Sequence, residues 1–187
     1  FWFCEELLEK YKNSENIGMI SGNNFFIEHQ KLKESYFYSY GNIWGWASWK
    51  RVWKNYDVSM KTWEDDIMKD SLKLFLNNEE IFNNLSKMFD DTYDDKINTW
   101  ANQWLYSRLI NKLLTINPSL NLVKNIGFGK EATHTKGGDI FSHLNRNNIT
   151  FPLIHPNNIN INKEYVMRQY SPSKLQIIKN YFKGMIS

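Results

Sequence analysis

The spacing of apolar residues changes several times along the chain, and each change predicts a different element. In the opening stretch FWFCEELLEKYKN, the residues Phe3, Leu7 and Tyr11 follow helical spacing, with charged residues on the opposite face. The apolar run IGMISG (17–22) ends in Gly-Asn-Asn, which predicts a buried strand followed by a loop. The segment FYSYGNIWGW (37–46) predicts a second strand or an extended segment.

The middle of the chain has a mainly helical pattern. Residues 47–56 predict a helix on which Trp46, Trp49 and Trp53 share one face. Residues 64–90 predict polar-rich helical structure with one apolar side that faces inward. That side consists of Ile67, Leu72, Leu74, Phe75, Ile81, Phe82, Leu85 and Met88.

Strand and helix signals continue to alternate in the second half. Asn98 or Thr99 is predicted to cap a helix over 100–114. The buried residues of this helix are predicted to be Trp104, Leu105 and Leu109. The stretch 114–129 predicts a strand, a Pro turn and an extended segment, and the remainder is loop-rich with a last helix over 173–182. This alternation indicates the α/β class.

Length and composition fit one folded domain with an unusual share of aromatic side chains. The 187 residues are enough to bury a core, and 8 Trp, 10 Tyr and 12 Phe bring the aromatic share to 16%. Such an excess of flat rings suits proteins that stack on sugars or bases or that bind at membrane interfaces. The net charge of +3 comes from interspersed acids and bases, without the Lys/Arg block expected of a nucleic-acid-binding protein.

Cysteine usage and hydropathy bear on the compartment. Cys4 is the single cysteine, so the sequence predicts no internal disulfide and fits a reducing compartment. The sequence contains neither a run of 18 apolar residues nor a signal-peptide pattern. We therefore expect a cytoplasmic protein.

The stretch IWGWASWKR has three tryptophans within six residues. Trp49 and Trp53 fit either the apolar face of a helix or the wall of a binding site. Trp44 and Trp46 flank Gly45 at a strand-to-helix junction, where both rings cannot easily be buried on one face. The glycine leaves room beside two aromatic faces, which is an arrangement that suits a sugar ring.

The stretch NTWANQW contains the predicted start of a helix. The free backbone amides and the helix dipole at such a start favour an anion. Trp104 is better explained as a core residue of this helix. Asn98, Trp100 and Gln103 are therefore candidates for the wall of a binding site.

The stretch NIGFGKEATHT (125–135) is polar and contains two glycines, which is typical of a loop, where functional residues concentrate. It contains Glu131 and His134, and a lone histidine is either structural or one ligand of a larger site. The acidic runs WEDD (63–66) and DDTYDD (90–95) are better explained as solvated faces or helix ends than as metal motifs.

Five segments in this order and spacing carry a family resemblance: FWFCEELLEKY, MISGNNF, IWGWASWKRVW, INTWANQWLYS and NLVKNIGFGKEATHT. They resemble GT-A-type nucleotide-sugar glycosyltransferases of bacterial surface-polysaccharide gene clusters, some of which carry the label hemolytic protein. The resemblance implies a mixed sheet with flanking helices. It makes 1–150 the acceptor-side, C-terminal part of a GT-A domain and 151–187 a tail with a final helix.

The resemblance also implies what precedes this sequence in longer family members. Their Asp-rich metal motif lies just upstream of the segment that matches FWFCEELLEKY, so it and the first nucleotide-binding strands would fall before Phe1. We accordingly expect a partial GT-A fold with one sheet edge or face unpaired. The pair Asp65-Asp66 is not that motif, because it follows the Trp cluster instead of preceding it.

Roles for individual residues follow from the same resemblance. The substrate-binding residues would be Asn23, Trp44, Gly45, Trp46, Asn98, Trp100 and Gln103. We therefore expect the turn at 44–46, the helix start at 98–103 and the loop at 129–134 to converge on one cleft. His134 would help to hold a divalent ion, Mn or Mg, together with the donor diphosphate. Many family members have Asp where this chain has Ala101, so Asp95 and Glu131 are the remaining candidates for the catalytic base.

The expected activity is transfer of a sugar from a nucleotide-sugar donor to a glycan or lipid-linked acceptor. The protein would associate at most peripherally with the inner face of the cell membrane and would bind no nucleic acid. A non-catalytic carbohydrate-binding or partner subunit is the alternative, in keeping with Ala101. A membrane-active protein is disfavoured because no segment is amphipathic and basic enough.

Overall fold

The computed structural model describes residues 1–26, 32–124 and 144–171. Within these ranges the chain forms six helices and three strands. In chain order they are α1 (Trp2–Lys10), β1 (Ile17–Ile20), β2 (Tyr36–Ser39), α2 (Lys50–Trp53), α3 (Asp66–Leu76), α4 (Glu79–Tyr93), α5 (Ala101–Ile110), β3 (Leu114–Pro118) and α6 (Lys163–Tyr170).

The three strands form one mixed sheet in the order β1-β3-β2. The central strand β3 runs parallel to β1, with Ile20 opposite Ile116, and antiparallel to β2, with Tyr38 opposite Ile116. Helices flank this sheet, so the predicted α/β class and mixed sheet are confirmed. The finer assignment to a GT-A fold remains a prediction.

Other segments cover parts of both outer strands. At β1, Ile20 and Ala47 exchange two backbone hydrogen bonds, each of 2.8 Å. At β2, the Asn162 amide donates to the Tyr38 carbonyl over 2.8 Å. The expected unpaired sheet edge is therefore not found at these positions, because irregular segments supply the hydrogen bonds that a further strand would make.

Helices pack on both faces of the sheet because side chains alternate along each strand. On β2, Tyr36 and Tyr38 point to the face covered by α1, where they share a hydrophobic cluster with Leu7. Phe37 points to the other face, where its ring lies 4.7 Å from that of Tyr165 in α6. The sheet thus has α1 on one face and α6 on the other.

Helices α3 to α6 surround the largest hydrophobic cluster. Its buried members are Tyr40, Met60, Trp63, Leu72, Leu76, Ile81, Leu85, Phe89, Leu105, Tyr106, Leu109 and Val166. Most of them recur at helical spacing on α3, α4 and α5, so each helix contributes one apolar stripe. This packing fixes the position of α5, whose first turn borders the candidate site.

The helical stretch predicted over 64–90 is two helices. Asn77 ends α3 in the left-handed conformation with a φ of 46°, and the side chain of Asn78 caps α4 by accepting from the Ile81 amide over 2.9 Å. The prediction that Ile67 and Leu74 face inward is wrong, since they are 78% and 80% exposed. The other predicted inward residues are buried or packed against the cluster: Leu72, Phe75, Ile81, Phe82, Leu85 and Met88.

Two predicted helix boundaries also differ from the structure. The helix predicted over 47–56 is only the single turn α2. The helix predicted over 100–114 ends at Ile110, because the chain turns there and enters β3. Trp100, not Asn98 or Thr99, is the N-cap residue of α5, although the Thr99 hydroxyl accepts from the Ala101 amide over 3.1 Å.

The sequence pattern did not reveal α6, which is short and mostly polar. Its N-cap Asn162 accepts from the Tyr165 amide over 3.0 Å, and Tyr165 and Val166 are its buried residues. The last helix predicted over 173–182 lies outside the described residues. Of the helices in the described ranges, none combines the length and apolar content that crossing a membrane requires.

Candidate functional site

Two segments that are far apart in sequence meet at one surface, as predicted. The ring of Trp46, from the Trp-Gly-Trp turn, lies 5.7 Å from the ring of Trp100 at the start of α5. Trp46 also lies 5.8 Å from Trp53 in α2. Because residue 46 precedes α2 and residue 100 precedes α5, tertiary packing alone brings these rings together.

A fourth ring completes this surface. Tyr56 stacks on Trp53 with centroids 4.9 Å apart and ring planes within 8° of parallel. We call Trp46, Trp53, Tyr56 and Trp100 the aromatic surface. Trp53 and Trp100 remain 42% and 43% exposed, and Trp46 and Tyr56 are half-buried. Sequence reasoning missed Tyr56, although its spacing of three residues from Trp53 was a usable signal.

Trp104 lies beneath the aromatic surface and supports it. Its side chain is fully buried, and its ring centroid is 4.8 Å from that of Trp53 and 5.8 Å from that of Trp46. The indole N–H donates to the sulfur of Met19 in β1 over 3.2 Å. The prediction that Trp104 belongs to the core is therefore confirmed, and this residue links α5 to the sheet.

Trp46, Trp49 and Trp53 are predicted to share one face, but in the structure only Trp46 and Trp53 do so. Trp46 and Trp53 contact each other, but the indole N–H of Trp49 donates to the Leu8 carbonyl of α1 over 3.0 Å. The guanidinium of Arg51 covers the Trp49 ring at 4.6 Å. Trp49 is thus a structural contact between α2 and α1, because the single turn of α2 is too short to keep all three rings on one side.

The Trp-Gly-Trp turn depends on its glycine. Gly45 has a φ of +58°, in the left-handed region, and a Cβ atom there would overlap Cγ1 of Val123. The Gly22 amide donates to the carbonyl of Trp44, the residue before Gly45, over 3.0 Å. Trp44 itself meets the ring of Phe25 edge-on at 5.2 Å, so the two tryptophans of the turn have different neighbours.

Replacing Gly45 with alanine should destabilise the fold by about 1–3 kcal/mol, since a non-glycine residue is strained in this conformation and its Cβ also meets Val123. Urea denaturation measures the loss. The double change Gly45→Ala with Val123→Ala should recover only the part that comes from the overlap. Wild-type stability of the Gly45→Ala protein would show that this turn is not held as described.

Polar groups border the turn at the end of β1. Asn23 is fully buried: the Ser21 hydroxyl donates to its side-chain oxygen over 2.7 Å, and the Asn117 side chain donates to its carbonyl over 3.0 Å. Its side-chain NH2 group has no hydrogen-bond partner among the described residues. Asn23 therefore holds the loop after β1 in place, and its NH2 group is buried there.

The other predicted site residues differ in their surroundings. Gln103 is half-buried on α5, three residues after Trp100, and its side-chain oxygen has no partner among the described residues. Asn98 is exposed. Asp95 is exposed just after α4 with a φ of +57°. Glu131 and His134 lie outside the described residues, so the predicted convergence of the 129–134 loop on this surface stays a prediction.

Two titratable side chains lie at the aromatic surface or behind it, the Tyr56 phenol and the Arg108 guanidinium. Burial, with a smaller contribution from the charge of Asp57, raises the pKa of the Tyr56 phenol, which therefore keeps its proton at neutral pH. Arg108 lies behind Trp104, with its guanidinium 5.5 Å from that ring, and burial lowers its pKa to about 10. Its Nη1 donates to the Tyr40 carbonyl over 2.8 Å, which offsets part of the cost of burial.

Comparisons with protein-family models, curated proteins and solved structures find no match for this chain. The geometry of its residues and the resemblance of its five segments are therefore the grounds for a functional proposal.

The expected divalent ion would need several oxygen or nitrogen ligands that lie close together. Residues 1–26, 32–124 and 144–171 contain no group of three or more His, Cys, Asp and Glu side chains placed to hold a metal. The predicted ligand His134 lies outside these ranges. The expected divalent ion therefore stays a prediction.

Proposed function

We propose that this chain is part of a nucleotide-sugar glycosyltransferase and that its aromatic surface holds a sugar ring of the substrate. The proposal rests on one observation, the contact between Trp46 and Trp100 with Trp53 beside them, above the buried Trp104. The order of the five sequence segments, which resembles that of GT-A-type glycosyltransferases, supports the same activity.

An exposed cluster of indoles suits a sugar for a physical reason. One face of a pyranose ring presents C–H groups, which gain by leaving water for an aromatic face, and its hydroxyls need hydrogen-bond partners. The half-exposed rings of Trp53 and Trp100 offer such faces.

The chemical step needs a base for the acceptor hydroxyl and positive charge for the leaving diphosphate. Of the two candidate bases, Asp95 is an exposed residue five positions before Trp100, and Glu131 lies outside the described residues. A divalent ion held with the help of His134 would supply the positive charge. Both assignments remain proposals.

Binding of sugars by the full chain tests the proposed surface. We expect oligosaccharides from bacterial surface polysaccharides to bind the wild-type protein and the Trp100→Ala protein to bind them about tenfold more weakly, since one stacking partner is lost. Trp2→Ala is the matched control, because Trp2 is exposed on α1 outside the aromatic surface. Equal affinity of the Trp100→Ala and wild-type proteins, measured by titration calorimetry, would exclude this surface as the sugar site.

Release of nucleoside diphosphate from a panel of sugar nucleotides tests the enzyme activity. If His134 helps to hold a metal and the diphosphate, His134→Ala should abolish metal-dependent release while the thermal midpoint of unfolding stays the same. Unchanged release by this variant would make His134 a structural residue.

A non-catalytic carbohydrate-binding subunit is the second candidate, and one observation favours it. Ala101 stands at the first position of α5, where many proteins of the resembled family have Asp. An alanine can neither accept a proton nor bind a metal there. Sugar binding that depends on Trp100, together with no nucleoside diphosphate release from any donor, would support this candidate.

A further inference from the structure

A cavity lies where α3 ends and α4 begins. It has a volume of about 510 Å³, which is within the range of ordinary ligand sites. It is lined by Tyr40, Phe75, Leu76, Asn77, Asn78, Ile81, Leu114, Ile159, Asn160, Ile161, Lys163, Val166 and Met167. None of these residues belongs to the aromatic surface.

The cavity exists because the chain breaks between two helices. Asn77 takes a left-handed conformation, so α3 and α4 diverge, and α6 does not fill the space that they leave. The walls come mainly from aliphatic and aromatic side chains such as Phe75, Leu114 and Ile161. A site of this composition favours a ligand whose body is apolar.

The polar part of the lining favours a negative charge. Among the described residues, Lys163 is the one charged residue that lines the cavity, and it is exposed at the start of α6. The first turns of α4 and α6 both contribute to the lining, and the positive ends of two helix dipoles therefore lie nearby. The acids of these turns, Glu79, Glu80 and Glu164, are exposed and do not line the cavity.

One polar group in the wall has only a weak partner. The side-chain NH2 of Asn78 donates to the sulfur of Met167 over 3.2 Å, and a thioether is a poor acceptor. The same side chain uses its oxygen to cap α4, so its orientation is fixed and the N–H group stays directed toward Met167. A carboxylate oxygen would be a stronger acceptor for this donor.

We propose that this cavity binds a straight-chain carboxylate of medium length, with its alkyl chain among the apolar residues and its carboxylate near Lys163 and the Asn78 amide. This site is independent of the proposed sugar site. Because burial of each methylene favours binding, affinity should rise about fourfold for each added CH2 until the cavity is filled. Octanoate, decanoate and dodecanoate, each below its micelle concentration, are suitable probes for titration calorimetry.

The charge is tested with decanol, with two variants of the lining and with one control variant. Decanol should bind at least tenfold more weakly than decanoate. Lys163→Gln should weaken the binding of decanoate and leave the binding of decanol unchanged. Lys61→Gln, at an exposed lysine outside the lining, is the control and should change the binding of neither ligand. Asn78→Asp keeps an acceptor for the α4 cap, so the protein should fold. Because this variant replaces the amide donor with a negative charge, it should abolish decanoate binding.

The Trp100→Ala protein should bind decanoate with wild-type affinity, which separates this site from the sugar site. The proposal is overturned if decanol binds as tightly as decanoate, if affinity does not depend on chain length, or if the Asn78→Asp protein binds decanoate as the wild type does.

Discussion

Trp104→Ala should lower the free energy of unfolding by about 3–5 kcal/mol, the usual range for removal of a fully buried indole. The large effect is expected because this ring contacts residues of three separate parts of the chain. It packs against Trp46 and Trp53, and its N–H group donates to Met19 in the sheet. Chemical denaturation with urea, followed by far-UV circular dichroism, measures the change.

The same substitution should also abolish sugar binding, since the aromatic surface rests on this ring. Trp104→Phe keeps part of the volume and should lose less stability. Trp2→Ala, at an exposed tryptophan of α1, should stay within about 0.5 kcal/mol of wild type, as is usual for surface changes. A Trp104→Ala protein as stable as the Trp2→Ala protein would contradict the packing described for the site.

The protein should unfold on titration above pH 10, because three core tyrosines resist ionisation. Burial, together with hydrogen bonds to the Tyr11 hydroxyl, raises the pKa values of Tyr36 and Tyr38, and burial raises that of Tyr40 to about 12. Below pH 10 the folded and unfolded states both keep these protons, so stability is complete. Above pH 10 only the unfolded chain releases them, and each tyrosine then costs about 1.4 kcal/mol per pH unit.

Arg108 acts in the opposite direction over the same range. Its pKa is lowered to about 10 from an ordinary value of 12.5, so the folded state releases that proton more readily and gains relative stability as the pH rises. One arginine does not offset three tyrosines, and the net stability should fall. Urea midpoints measured from pH 8 to pH 11.5 record the loss, and tyrosinate absorbance reports the ionisation.

Tyr40→Phe is the variant that isolates one contribution. It removes one ionisable hydroxyl without changing the ring. Above pH 10 the variant should therefore lose less stability per pH unit than the wild type, and the difference is the contribution of one tyrosine. A urea midpoint that stays constant between pH 10 and pH 11.5 would mean that these tyrosines ionise equally in both states.

Apolar spacing in the sequence predicted the regular elements where the pattern is local and strong. Residues such as Leu7, Leu85 and Leu109 recur at helical spacing, and α1, α4 and α5 bury them. The apolar run at 17–22 contains β1, and the strand predicted at the start of 114–129 is β3. The polar α6 and the break at Asn77 were missed, since one turn of capping residues gives a weak signal beside long apolar stripes.

The candidate site was predictable in part. The Trp-Gly-Trp turn and the start of α5 were identified from composition and capping signals, and Trp46 and Trp100 do meet. The exclusion of Trp49 from that surface was not predictable, because its indole N–H is held by a carbonyl of α1. Tyr56, which stacks on Trp53, was missed although its spacing of three residues from Trp53 was a usable signal.

The sequence by itself determined which side chains form apolar faces and where the chain turns. The tertiary structure decided which apolar faces pack against each other. It left Ile67 and Leu74 in solvent and buried Trp104. It also placed Trp46 beside the ring of Trp100, 54 positions further along the chain. The physical reason is that helical or strand spacing depends on nearby residues only. The partner of an apolar face depends on how all the elements bury their surfaces together.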